Sequence, residues 1–271
     1  MSVNSRPNFP FNNMPGLKKI YFFFSSVLLF LLHLPFVFAK NKPTEAASLP
    51  LKMESSLPAD SVFTNGKAMI QSSASSLYDS LRLNLMGLSN QAFEYAMQGF
   101  NYLMKKGKLN NTRVISIVDF SLPSSRKRLF VIDLDQQKVV FNTYVAHGVN
   151  SGQASATRFS NTPESNESSL GFYETSNTYM GGNGYSLKLQ GLEAGFNDNA
   201  ERRAIVMHGA DYVNENLINS QGYIGRSWGC PAVPEKLHKP IIDKIKNGTC
   251  LFIYSPDKYY LNHSRILHPA G

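Results

Sequence analysis

Arg128-Leu129-Phe130-Val131-Ile132-Asp133 and Lys138-Val139-Val140-Phe141-Asn142-Thr143-Tyr144-Val145 flank the polar step Asp135-Gln136-Gln137. β-Branched and aromatic residues dominate both runs, and a short polar step joins them, so the stretch predicts a β-hairpin. Strand signals continue on both sides of it. Val114-Ile115-Ser116-Ile117-Val118 precedes the hairpin, and Gly171-Phe172-Tyr173-Glu174-Thr175 follows a loop at 150–169 dense in Ser, Thr and Asn. A glycine-rich turn, Gly181-Gly182-Asn183-Gly184, leads into Tyr185-Ser186-Leu187-Lys188-Leu189. Ala204-Ile205-Val206-Met207-His208 and Cys250-Leu251-Phe252-Ile253-Tyr254 are further short apolar strands. One helix is expected after Pro234, cut in two by Pro240 and stopped at Asn247-Gly248. Many strands with little helix predict a mainly β fold, a sandwich or barrel with small helical inserts, over 110–260.

Upstream, the period changes. Leu77, Leu81, Leu85 and Leu88 recur at helical spacing, as do Phe93, Met97, Phe100 and Met104. Gly87-Leu88-Ser89 separates two helices, with Ser89 placed to cap the second. The segment 76–108 is therefore a short helical stretch packed on the main domain. The composition of residues 40–75, rich in Ser, Pro, Ala and Lys, predicts a flexible linker. Residues 1–39 pair Lys18-Lys19 with an apolar run from Ile20 to Phe38, and Val37 and Ala39 occupy small-residue positions before Lys40. This is the pattern of a secretory signal peptide cleaved after Ala39, with retention as a membrane anchor the alternative. It implies export to the periplasm or cell envelope.

The chain carries 27 basic and 19 acidic residues, a formal charge of +8. Without its first 39 residues it is still basic, which suits either an anionic wall or membrane neighbour or plain solubility. No compact Lys/Arg cluster with interleaved aromatics marks a nucleic-acid binder. His238, His263 and His268 show no ligand spacing with Cys or acids, so no metal site is expected. The two cysteines sit in unlike contexts: Cys250 lies in an apolar strand and Cys230 in a glycine-containing turn. That argues against a disulfide between them.

The stretch that carries chemistry is Met207-His208-Gly209 and, after a polar insert, Arg226-Ser227-Trp228-Gly229-Cys230-Pro231-Ala232-Val233. A thiol attacks only as thiolate, and a nearby imidazole both takes its proton and stabilises the anion. Glycine before the cysteine permits a turn whose backbone N–H groups converge on one point, as an oxyanion hole requires. His208 closes an apolar strand and precedes glycine, which places its ring at a strand end.

This segment resembles the signature of the L,D-transpeptidases, the YkuD-like fold: a His, a spacer, then Ser/Thr-x-Gly-Cys. Here 18 residues lie between His208 and Ser227. The resemblance spans about 111–255, including Thr162-Pro163, Gly171 to Tyr173 and the closing strand. It is nearest to the murein L,D-transpeptidase catalytic domain proteins. The resemblance implies Cys230 as nucleophile and His208 as general base, with the Gly209 carbonyl orienting the ring. The turn Trp228-Gly229-Cys230 would supply oxyanion donors, and Ser227 would brace it. It implies a peptidoglycan stem tetrapeptide as substrate, acylation of Cys230 with loss of D-Ala, and an amine acceptor that closes a 3-3 cross-link. No cofactor is implied.

The sequence departs from the usual family turn in two places. Trp228 stands where His is common, and Pro231-Ala232 follow the cysteine in place of a hydrophobe and Arg or Asn. Arg226 is a candidate to replace the missing polar residue, and Trp228 to shape the acyl pocket. Tyr185 and Met180 flank the glycine-rich turn, near which the family carries a flexible cover. His147, in Val145-Ala146-His147-Gly148, has two readings, cleft-lining and structural. Asp211 and Glu215 read as solvated. The competing functions are a cysteine hydrolase (an L,D-carboxypeptidase) and a non-catalytic wall-binding module.

Overall fold

The computed structural model describes residues 73–269. The expected signal segment 1–39 and nearly all of the linker 40–75 lie outside them. Eight strands form one mixed sheet in the order β3-β2-β1-β8-β4-β5-β6-β7. They are β1 (Val114–Asp119), β2 (Leu129–Asp133), β3 (Lys138–Thr143), β4 (Gly171–Gly181), β5 (Gly184–Gly191), β6 (Val206–Ala210), β7 (Ala232–Pro234) and β8 (Cys250–Tyr254). β1 pairs β8 in parallel and β6 pairs β7 in parallel; the other neighbours are antiparallel. β1, β2 and β8 are buried along their whole length, which explains their unbroken apolar runs. The sheet curls until its edges meet: the chain leaving β3 bridges β7 through Ala146 and Ala232. The result is a nearly closed barrel, as the strand pattern predicts.

The helical stretch comprises α1 (73–80) and α2 (Asn90–Lys105). Ser89 caps α2, its hydroxyl accepting from the Ala92 N–H at 3.2 Å. α2 buries Ala92, Phe93, Ala96, Phe100 and Leu103 in the main core. Gly99 lets the helix approach the Phe172 ring, which stacks on Phe252 at 4.1 Å. α2 is therefore part of the domain's core. α1 stops earlier than its leucine spacing predicts. Arg82 adopts φ +52, and Leu83 N–H returns to the Tyr78 carbonyl at 3.2 Å, which closes the helix end. Leu83 is buried in consequence and Leu85 is 75% exposed.

The helix after Pro234 differs from expectation. α4 (Glu235–Ile245) runs unbroken through Pro240. An interior proline costs roughly 3 kcal/mol. Ile241, Ile242 and Ile245 are each buried below it, and each contributes about 1.5–3 kcal/mol. Pro240 itself is exposed, so its lost hydrogen bond leaves a carbonyl facing water. Burial outweighs the proline. Two short helices were not expected: α3 (Glu215–Gln221), inside the polar insert, and α5 (Lys258–His263) beyond the last strand.

Candidate active site

The site lies where the sheet closes. The turn 227–231 runs into β7, which sits between β6 and the chain leaving β3. On one side His208 pairs with Ala232 and Gly209 with Val233. On the other, Ser227 N–H donates to the His147 carbonyl at 2.9 Å, and Val149 N–H donates to the Ser227 carbonyl at 2.7 Å. The Cys230 turn is thus clamped between two His-Gly steps.

Within the turn, the Ser227 hydroxyl donates to the Cys230 carbonyl at 2.6 Å and accepts from the Gly229 N–H at 3.1 Å. This is the bracing role that the resemblance implies. It also corrects the oxyanion expectation. The Gly229 N–H is taken by Ser227, so Gly229 contributes conformation, at φ +119, rather than a donor. The Cys230 and Trp228 N–H groups make no hydrogen bond among the described residues and remain available.

The Cys230 sulfur is partly buried. It accepts from the Val206 N–H at 3.5 Å and points its thiol at the Ala204 carbonyl at 3.7 Å. Burial pushes the Cys230 thiol above its ordinary range; the Val206 N–H and the Arg203 charge pull it back in part. The resting group is a thiol and needs a base. His208, 5% exposed, sets Nδ1 against the Gly209 carbonyl at 2.8 Å. A carbonyl only accepts, so Nδ1 carries the proton and Nε2 is the free base. Burial holds the His208 pKa below its ordinary value; the Gly209 carbonyl raises it and nearby His238 lowers it further. Nε2 is unbonded by any described residue, and no hydrogen bond joins it to the Cys230 sulfur, whose partners are Val206 and Ala204; proton transfer requires the two side chains to draw together. Gly209 is required by packing as well: a Cβ there would stand 2.7 Å from the His238 ring.

The other candidates separate. His147 is fully buried and does not line a cleft. Arg128 Nη2 donates to its Nδ1 at 2.7 Å, and its Nε2 faces the Gly152 carbonyl at 3.2 Å. Arginine cannot accept, so His147 is a neutral Nε2–H tautomer filling the interior. Arg226 is spent on the loop carbonyls of Gly152 and Val149, at 3.2 and 3.4 Å. Tyr185 donates to Asp243 of α4 at 2.8 Å. Trp228 is 81% exposed beside the thiol. Met180 at the hairpin tip is also exposed. Glu215 accepts from the Tyr144 hydroxyl at 3.1 Å; Asp211 is exposed. Both cysteines are free thiols, and Cys250 is fully buried, with burial pushing its thiol far up. No group of three metal-ligating side chains occurs among the described residues. Sequence reasoning missed Arg203 and His238. Nothing in their neighbours distinguishes them from surface residues, because only the fold brings them to the turn.

Residues 85–254 match the family model of the L,D-transpeptidase catalytic domain. The chain belongs to that family. The match begins inside the helical stretch rather than near residue 111, in keeping with the place of α2 in the core. No curated protein matches. Solved structures with similar folds include an L,D-transpeptidase from Mycobacterium smegmatis (12% identity, TM-score 0.32, covering 53% of this chain and 59% of that one). The helical cell shape determining protein Pgp2 of Campylobacter jejuni aligns at 12% identity and TM-score 0.37, covering 60% of this chain and 57% of that one. An L,D-transpeptidase from Stackebrandtia nassauensis aligns at 12% identity and TM-score 0.32, with 62% and 68% covered. The first of these alignments thus span a little over half the length of the matched chains.

Proposed function

We propose that this protein is a cysteine acyltransferase of peptidoglycan stem peptides, acting outside the cytoplasm. The observation that carries this reading is the pairing of β6 with β7. It places His208, its Nδ1 fixed on the Gly209 carbonyl, beside Ala232, two residues beyond Cys230 on the turn that Ser227 braces. The export pattern of residues 1–39 and the family's substrate class support the compartment and the donor; N-terminal retention would attach the protein to the membrane.

The chemistry follows from the residues. His208 Nε2 takes the Cys230 thiol proton as the sulfur attacks the carbonyl between the L-centre of the third stem residue and the terminal D-Ala. A C–S bond forms, and the oxyanion faces the Cys230 and Trp228 N–H groups. Collapse breaks the C–N bond, and the imidazolium gives its proton to the departing D-Ala amine. An amine of a second stem then attacks the thioester, His208 takes its proton, and the C–S bond breaks to release a 3-3 linked dimer. Exposed Trp228 offers an apolar face to either stem.

Incubation of the protein with purified tetrapeptide muropeptide, followed by mass spectrometry, tests this. A dimer one D-Ala lighter than two tetrapeptide units, absent with Cys230→Ala, is the expected product. Tripeptide without dimer makes the protein a carboxypeptidase. No turnover and no acyl adduct would leave only a binding role.

A further inference from the structure

Arg203 immediately precedes the segment that holds the thiol, yet none of its hydrogen bonds goes to that segment. Nη1 donates to the Ser160 carbonyl at 2.7 Å and to the Ser169 hydroxyl; Nη2 donates to the Glu167 carbonyl at 2.6 Å and to the Ser165 hydroxyl at 3.1 Å. Four of the guanidinium's five N–H donors are thus spent on the 160–169 loop. Nη2 and the Glu167 carbonyl also abut the nucleophile turn. A Cβ on Gly229 would lie 3.3 Å from the first and 2.8 Å from the second. The residues that follow, Ala204 in a left-handed conformation and Val206, present the carbonyl and N–H that contact the sulfur.

The charge is unusual in a second way. Among the described residues no carboxylate lies within ion-pair distance of Arg203, although it is only partly exposed. Glu167, the acid on the same loop, pairs with Arg158 instead, at 3.5 Å. Four hydrogen bonds satisfy the guanidinium, so its positive charge is not tied up in an ion pair and is available to an anion that forms beside it. The Cys230 thiolate is such an anion, and it appears only when the proton leaves.

We propose that Arg203 is a positioning residue for Cys230: it ties the nucleophile turn to the 160–169 loop and keeps positive charge beside the sulfur. The proposal rests on the acyl-transfer reading, in which that thiolate is the working species. With its donors occupied, Arg203 acts through the turn and the loop rather than by gripping substrate. The Thr162-Pro163 loop is thereby coupled to the nucleophile, so that a loop displaced from Arg203 takes the guanidinium away from the turn.

The test is the pH dependence of Cys230 alkylation by iodoacetamide, measured on the full chain by intact mass. It needs no muropeptide, so its outcome is independent of whether stem peptides are the substrate. Buried Cys250 should not contribute. Arg203→Gln is expected to move the midpoint up by about one pH unit, a roughly tenfold loss of thiolate near neutrality. Arg203→Lys keeps the charge and loses the planar fork. Its midpoint should stay close to that of the parent protein, while the limiting alkylation rate well above the midpoint rises severalfold as the turn loses its tie to the loop. A midpoint unmoved in Arg203→Gln overturns the proposal. So does a shift in Arg203→Lys as large as in Arg203→Gln. Should Arg203→Gln not fold, the lysine variant decides alone: a displaced midpoint or an unchanged limiting alkylation rate overturns it.

Discussion

The chain contains the same dipeptide twice, His147-Gly148 in the segment beyond β3 and His208-Gly209 inside β6, and both flank the same turn. At His208 one ring nitrogen is fixed and the other is left unbonded. At His147 both nitrogens are occupied, one by a buried arginine and the other by a carbonyl. Arg128 is itself fully buried, bonded to the Val145 and Leu122 carbonyls and lying over the Phe120 ring. Burial lowers its pKa to about 9, partly offset by Asp119. The two rings therefore differ in the partners of the second nitrogen. Residue type and the following glycine are the same in both, although His208 lies inside β6 and His147 outside the named strands.

The largest expected effect separates the two histidines by readout. His208→Ala should lower kcat by about 10²–10⁴ with a melting temperature within a few degrees of the parent. His147→Ala should do the reverse. It deletes a fully buried ring and one of the Arg128 hydrogen bonds and should cost about 3–5 kcal/mol. That is roughly 10 °C in melting temperature. If His147→Ala were stable and inactive, the comparison would be inverted.

pH sharpens the same contrast. Burial, with the Arg128 charge next, pushes the His147 pKa down to about 4. Its folded value lies below the unfolded one, so the unfolded chain binds the extra proton. The stability His147 contributes is complete above the ordinary imidazole value of 6.5 and is lost as pH falls towards 4. Denaturant titrations should show a loss of about 3 kcal/mol over that window. His208 is shifted in the same direction, so the acid limb of kcat/KM should lie below 6.5.

Smaller effects probe the turn between them. Ser227→Ala removes two hydrogen bonds to the turn and should cost about 1–3 kcal/mol of transition-state stabilisation, a ten- to hundredfold fall in kcat/KM. Trp228 is the chain's only tryptophan, so a muropeptide binding there should change intrinsic fluorescence in the Cys230→Ala protein. Fluorescence unchanged at saturating muropeptide would remove Trp228 from the binding surface.

Much of the fold was legible in the sequence. Alternation and β-branched runs located the strands, because a buried sheet requires them. Ser89 announced the start of α2. What failed did so for identifiable reasons. Pro240 overstated a break, because three buried isoleucines hold the helix below it. The leucine spacing in α1 overran Arg82, whose left-handed backbone has no sequence signature. α3 and α5 carried readable caps, Asn214 and Asp257, each accepting a backbone N–H three residues on. At the candidate site, the bonding of Ser227 within the Cys230 turn and of His208 to Gly209 was legible, because these contacts are local in sequence. The buried fate of His147 and the place of Arg203 were not, since both depend on residues distant in sequence.

The most direct measurement is peptide mapping of the acyl adduct formed with tetrapeptide muropeptide when acceptor is limiting. The account predicts an added stem tripeptide as a thioester on the Cys230 peptide, none on the Cys250 peptide, and loss of the adduct in His208→Ala. An adduct on any other residue, or one formed at full rate without His208, would contradict it.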